Sequence, residues 1–344
     1  PSNGKSISVS DFVDKEMIHF SKYDNERSIP SLIDGLKTSQ RKVLFSAFKR
    51  KLVKGIKVSQ FSGYVSENSA YHHGEASLNA CIINLAQNFT GSNNINILEP
   101  EGQFGTRLQG GKDSASDRYI FTRLAKITRL IFRPEDECIL DFKREEDAWI
   151  EPFTYYPILP LVLVNGSKGI GSGFSTSIPK YDPNVLIEEI RRRLTNCQSA
   201  PPTIIPSYRG FKGIVTQLSQ SKFATTGSYT VDKLNSSVRI TELPIGIWTD
   251  DYKCYLEKLM DDQTSDIRSY ADLSTDLHVD ITVSYTKGKL PLCSEIEKQL
   301  KLVTTVSTTN MHLFDENERL FRAISVDDII NRFCAVRLVK YAER

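Results

Sequence analysis

The pair Arg118-Tyr119 closes a glycine-rich stretch that opens at Gly102 and holds two further cations, Arg107 and Lys112. A tyrosine acts as a nucleophile only under three conditions. Its phenol, with an ordinary pKa of about 10, must give up a proton. A cation must lie close enough to favour the phenolate and the charge that grows on a reacting phosphate. The oxygen must also line up with the phosphorus it attacks. Residue type supplies the cations here, but spacing alone does not bring them together. Most of the 14 tyrosines of such a chain are packing residues.

Other stretches invite chemistry and carry less. Tyr71-His72-His73-Gly74-Glu75 sets two imidazoles side by side. Adjacent side chains point in different directions, and no further His or Cys follows at ligand spacing. The pair therefore reads as structural or as a donor to phosphate, and no metal site is expected. Gly105–Asp113 resembles a P-loop one residue out of register, with Asp113 where Ser or Thr would hold magnesium. Asn165–Gly173 lacks dinucleotide-binding spacing, and Pro179 and Pro183 block the helix that would have to follow at once. A nucleotide site is thus disfavoured. The 6 cysteines form no C-x-x-C pair, which excludes zinc ribbons and thioredoxin-like redox chemistry; six buried thiols in a reducing compartment are expected.

Charge narrows the partner. The chain of 344 residues has a net charge of only +2, but residues 1–133 hold 19 Lys+Arg against 12 Asp+Glu, and the remainder holds 25 against 30. Positions 35–66 carry eight bases and no acid. Such a run forms either a solvated face or a cradle for a polyanion, most naturally nucleic acid. With 40% hydrophobic and 25% charged residues the chain can build a core and is not disordered. Its longest apolar run, Ile158–Val164, is broken by Pro160 and far short of the roughly 20 residues of a membrane span. The first residues lack the apolar segment of a secretory signal.

The elements that must position these groups are legible from period. Val43, Leu44, Ala47 and Phe48 predict a helix from a Thr38 or Ser39 cap to about Lys51. A second, shorter helix is expected at Val58–Glu67. Leu78, Cys81, Ile82, Leu85, Ala86 and Phe89 predict a third from about Glu75 to Phe89. Short strands at Ile95–Ile97 and about Arg118–Thr122 would flank the glycine loop. Three helices followed by a looped strand pair is the plan of a winged helix. After Pro134 the character changes. Val279, Ile281, Val283 and Tyr285 alternate with polar residues, as a half-buried strand does. Tyr229–Val231 and Val238–Ile240 alternate too, and helices are expected at about Pro183–Leu194, Tyr252–Met260 and Ser294–Leu302. A helical stripe from Ile329 runs to Arg344. The fold class is therefore α+β.

Several motifs then line up in one order: Asp24-Asn-Glu-Arg27-Ser-Ile-Pro, Asp34-Gly-Leu-Lys37-Thr-Ser-Gln-Arg41-Lys42, Tyr71-His-His-Gly-Glu, Gln103-Phe-Gly-Thr-Arg107, Gly110-Gly-Lys-Asp-Ser-Ala-Ser-Asp-Arg118-Tyr119 and Gly169-Ile-Gly-Ser-Gly. Together they resemble the breakage–reunion core of a eukaryotic-type (type IIA) DNA topoisomerase II, along essentially the whole chain. The resemblance implies a winged-helix domain with the catalytic tyrosine at 1–134, an α/β tower domain at 135–325 and the start of a coiled-coil stem at 326–344. It implies that Tyr119 forms a transient 5′-phosphotyrosyl bond with DNA and that Arg118 stabilises the transition state. It places Arg27, Lys37, Arg41, Lys42, His73 and Ser77 on the DNA backbone, with Arg107, Lys112 and Lys168 as further cations, and makes Ile170 an intercalating wedge. Double-stranded DNA and a second copy of the chain are the implied partners, with no membrane. Mg2+ and ATP are implied cofactors, held by TOPRIM and ATPase domains outside this segment, so the segment alone is expected to bind DNA without cleaving it. The implied location is the nucleus, or the host cytoplasm for a viral member. Asp117 before Arg118, Lys168 in the wedge loop and Phe153-Thr154 depart from common members and suggest a divergent viral or protist lineage. The alternative is a winged-helix architectural protein with no use for Arg118-Tyr119.

Overall fold

The structure, a computed structural model, describes residues 6–145, 147–195, 200–262 and 265–344. The first predicted stripe does form a helix. Val43, Leu44 and Ala47 of α2 (Thr38–Lys49) are buried together with Val58, Phe61 and Val65 of α3 (Val58–Asn68) and Leu78, Ile82 and Leu85 of α4 (Glu75–Ala86). The start of α2 differs from expectation. Lys37 holds the capping position, its N–H donating to Gln40 Oε1 at 2.9 Å, while Thr38 Oγ1 donates to Glu26 O of the preceding helix α1 (Ile18–Ser28). Helix α4 ends at Ala86 rather than Phe89, because Gln87 leaves helical geometry and its Nε2 donates to Phe104 O and Gly111 O.

Strands β1 (Ile56–Lys57), β2 (Leu98–Glu101) and β3 (Phe121–Leu124) pair in the order β1-β3-β2. Three helices and this small sheet make the winged-helix plan, with the glycine loop as the wing. The strands lie later than expected. Ile97 N–H is used by Leu85 O at the end of α4, so the β2 ladder starts after it. Residues 116–119 close a turn, with Tyr119 N–H donating to Ser116 O at 2.9 Å, so β3 begins only at Phe121.

The chain continues through the hairpin β4 (Phe142–Glu145) and β5 (Ala148–Pro152), the short helix α5 (Leu161–Asn165), the hairpin β6 (Ser167–Ile170) and β7 (Ser175–Ile178), and α6 (Pro183–Leu194). A three-stranded sheet comprises β8 (Ile214–Ser219), β9 (Lys222–Thr226) and β14 (Val303–Ser307), in the order β14-β9-β8. The four-stranded sheet β10-β11-β13-β12 uses β10 (Ser228–Asp232), β11 (Ser237–Glu242), β12 (Ile267–Asp272) and β13 (Ile281–Tyr285). Ile281, Val283 and Tyr285 are buried on one face of β13, as alternation predicts, against α7 (Thr249–Asp261) and α8 (Cys293–Gln299). The hairpin β15 (His312–Phe314) and β16 (Leu320–Arg322) and then α9 (Val326–Glu343) end the chain.

Two hydrophobic cores result, and they do not divide at 134. The first runs from Leu32 through Ile131, Tyr155, Val162 and Leu186 and recruits Leu313, Ile329 and Ile330. The second holds only residues between Val238 and Leu302. The expected boundary thus cuts one core, because residues 155–186 and 311–330 fold back on the winged helix. Ser177 N–H donates to Asn310 O at 2.7 Å, and Leu32 N–H donates to Phe314 O at 2.8 Å. The cysteines also differ from expectation: Cys138, Cys254 and Cys293 are exposed, Cys81 and Cys334 are partly buried, and Cys197 lies outside the described residues.

Candidate nucleic-acid interface and active site

Tyr119 stands out from the wing on the 116–119 turn, 75% exposed, between exposed Arg118 and buried Ile120. The turn is pinned from behind. Ile120 O accepts from Val58 N–H, Asp117 O accepts from Ser59 N–H at 3.2 Å, and the Asp117 carboxylate accepts from Asn79 Nδ2 at 3.0 Å and Ser116 Oγ at 3.1 Å. The acid beside Arg118 is therefore spent on anchoring the turn to α4. Among the described residues, no carboxylate pairs with Arg118 or Lys112, and both are exposed. An unpaired guanidinium next to an outward phenol is the arrangement a phosphate requires.

Helix α1 organises two further parts of this face. On one side, Tyr23 Oη and His73 Nε2 lie 2.5 Å apart, and the His73 ring packs edge-on against Tyr71. Burial, then Arg27, His72 and Lys42, hold the His73 pKa below the ordinary histidine value. Arg27 is exposed on α1, and Ser77 is exposed in the first turn of α4. On another side, α1 seats the β6–β7 hairpin. Asn25 Nδ2 donates to Ser172 O at 3.0 Å and Ser172 Oγ to Asp24 Oδ2 at 2.9 Å. A Cβ on Gly169 would fall 2.0 Å from Ser28 O, and one on Gly171 would fall 2.2 Å from Asn25 Oδ1. Only glycine permits this approach, and it leaves Ile170, between them, 84% exposed. Lys37 Nζ steadies the hairpin from below by donating to Lys168 O at 2.6 Å, while Lys168 itself is exposed.

Two of the arginines expected on the DNA lie in the protein interior. Arg41 is 5% exposed and clamps Asp34, itself fully buried, through Nε to Oδ2 at 2.7 Å and Nη2 to Oδ1 at 3.1 Å. The same carboxylate accepts from Leu36 N–H and Tyr155 N–H. Arg107, 7% exposed, is ion-paired with buried Glu242. Glu242 occupies the core-facing position of β11 that follows Val238 and Ile240, so a cation must reach it. Both arginines have their charge met inside the protein and hold it together rather than facing solvent. Lys42 is intermediate: its ammonium bonds Ser69 O and Glu151 Oε2, the latter at 2.9 Å.

The residues missed by sequence reasoning are those of α1 as an element. Only Asn25 of α1 is buried, so no apolar stripe marks the helix. The one usable signal was the polar cluster Asp24-Asn25-Glu26-Arg27 itself. Asn79 and Asp117 were also missed as a pair, because their contact spans the fold.

A family model for the A-type chain of DNA gyrase/topoisomerase IV matches residues 27–344. The chain belongs to this family. Among its relatives, the mitochondrial DNA topoisomerase 2 of Dictyostelium discoideum is 47% identical over 344 residues, covering 99% of this chain and 26% of the relative. DNA topoisomerase 2 of Plasmodium falciparum is 46% identical over 345 residues, covering 99% and 24%. A crystal structure of the Plasmodium falciparum topoisomerase II DNA-binding, cleavage and re-ligation domain superposes with a TM-score of 0.92 at 46% identity, over 99% of this chain and 46% of that chain. The chain thus spans about a quarter of the length of these curated relatives. Within the gyrase/topoisomerase family its likeness is to the eukaryotic-type enzymes.

Neither family cofactor fits the residues present. Magnesium needs a set of oxygen ligands. The surroundings of Tyr119 are cationic, Asp117 is tied to Asn79, and no group of three His, Cys, Asp or Glu among the described residues could hold a metal. The P-loop-like stretch is closed on itself: Asp113 Oδ1 accepts from Thr106 N–H, and a Cβ on Gly111 would meet Gln87 Nε2 at 2.3 Å. No helix among the described residues is long and apolar enough to cross a membrane.

Proposed function

We propose that this chain is the DNA-gate segment of an ATP-dependent type IIA topoisomerase that breaks, opens and reseals duplex DNA. The observation that carries the reading is the exposed Tyr119 on a pinned turn beside the unpaired Arg118. In the cleavage step the Tyr119 oxygen bonds to a backbone phosphorus and the P–O3′ bond breaks. The 3′-oxygen takes up a proton, and the phenol's proton passes to solvent. The phosphotyrosyl ester keeps the bond energy, so attack by the 3′-hydroxyl reseals the strand without a nucleotide. Arg118 meets the charge on the five-coordinate phosphorus. Lys112, Arg27, His73 and Ser77 grip flanking phosphates, with Lys37, Lys42 and Lys168 behind them. Such contacts position the duplex without reading sequence. Ile170 enters a base step and bends the duplex, so site choice follows deformability.

The magnesium ligands and the ATP site come from segments outside these residues, and the functional unit is a homodimer working on DNA in the nucleus. Leu338, Val339 and Tyr341 are exposed on the last turns of α9, as a helix that packs on a second copy requires. The division into winged helix, tower and stem is retained for DNA handling, although the first two share a core.

The test uses the chain joined to its metal domain and end-labelled duplex. Detergent added during the reaction should trap a covalent 5′ adduct with the parent protein and none with Tyr119→Phe, while binding stays within about twofold, well under the tenfold that 1.4 kcal/mol would give. Equal trapping by both proteins overturns the nucleophile assignment. Equal binding with no adduct from either leaves an architectural DNA binder as the reading.

A further inference from the structure

The two cores are separated by a cleft of about 570 Å³, within the range of small-ligand sites. One wall is the start of α2, the 165–168 segment and Lys180; the other is Ile245, Trp248 and β14. Three lysines line it, Lys37, Lys168 and Lys180, and among the described residues no Asp or Glu does. Lys180 Nζ donates to Gly91 O at 2.7 Å, and Lys37 Nζ to Lys168 O at 2.6 Å. Each ammonium has three donors, so each has hydrogens to spare. Burial, with Lys168 adding to it, pushes the Lys180 amine down to about 8. Packing cations together in a partly dry cleft without a counter-charge is unfavourable, and a bound anion removes the cost.

We propose that this cleft is a phosphate-binding site in which the Lys180 ammonium, flanked by Lys168 and Lys37, holds a phosphate group against the Trp248 wall. The site adjoins the hairpin that carries Ile170, since Lys168 belongs to β6 and Lys180 lies two residues past the end of β7. The phosphate comes either from the backbone of a duplex arm beyond the Ile170 step or from a free phosphorylated molecule. The first source rests on the DNA reading above; the second does not.

Competitive acylation of the full chain, read by peptide mass spectrometry at Lys180, tests the site without a substitution. Three probes are used: pyrophosphate, a short duplex that reaches only from Tyr119 to Ile170, and a duplex extended by one arm. Protection of Lys180 by roughly tenfold with pyrophosphate supports the site with a free anion as its source. Protection by the extended duplex but not the short one supports it with DNA as the source. Pyrophosphate protection in a chain that binds neither duplex keeps the site and removes the DNA reading. Unchanged acylation with all three probes overturns the site. As a second arm, Lys180→Met should lower the salt slope of extended-duplex binding by about one and leave the short duplex alone. An unchanged slope with the extended duplex overturns the DNA source.

Discussion

Arg41 and Arg118 are the same side chain in opposite settings. Arg41 is buried and bidentate on a buried Asp34, beneath the start of α2. Arg118 is exposed and unpaired on the tip of a turn, its neighbouring acid already committed to Asn79. Both stand in motifs of the family, and the resemblance sets Arg41 on the DNA backbone and Arg118 at the transition state. A guanidinium whose charge is met inside the fold is part of the scaffold, whereas one left without a carboxylate is available to an anion. The same contrast separates Arg107, locked on Glu242, from exposed Lys112 in the same loop.

Substitutions can break or sharpen that contrast. Arg41→Ala strands the Asp34 carboxylate in the core and should cost about 3–5 kcal/mol of folding stability. Thermal or urea unfolding measures it, and an unchanged midpoint with weakened DNA binding would return Arg41 to the interface. Arg118→Ala should do the reverse. Stability should stay within about 0.5 kcal/mol, as for other exposed sites. Adduct formation should fall by about 10²–10³, as when one transition-state donor is removed. Ile170→Ala should leave stability equally untouched, since the side chain packs on almost nothing, but reduce the bend of bound duplex as read by energy transfer between its ends. A bend identical to that of the parent would strip Ile170 of its wedge role.

The smallest effect belongs to His73. Its pKa in the free protein lies below the ordinary value of about 6.5, and a phosphate beside it would raise that pKa. Binding would then take up a proton, so duplex affinity should rise as pH falls through this range, by up to about tenfold for each unit of pKa difference between bound and free states. His73→Gln should flatten that dependence. Folding responds with the opposite sign. The unfolded chain binds the proton more readily, so the stability His73 contributes is present above about pH 6.5 and is lost as pH falls. A titration of affinity that is flat in the parent protein removes His73 from the phosphate contacts.

Local period made much of the scaffold legible. The stripe of α2 and the alternation of β13 name their buried faces directly, and α6 lies at the predicted Pro183–Leu194. The helix α1 was not legible, because a helix with one buried residue carries no period. Ends of elements shifted wherever a side chain from elsewhere claimed a backbone group, as Gln87 did at the wing.

The motifs alone determined the family, since membership depends on residue identity in a fixed order. Tertiary structure decided which cations remain free. Burial and pairing depend on partners far off in the chain: Asp34 with Tyr155, Arg107 with Glu242, Asn79 with Asp117. A linear sequence shows that a charge is present; only the packed chain shows whether an opposite charge already neutralises it.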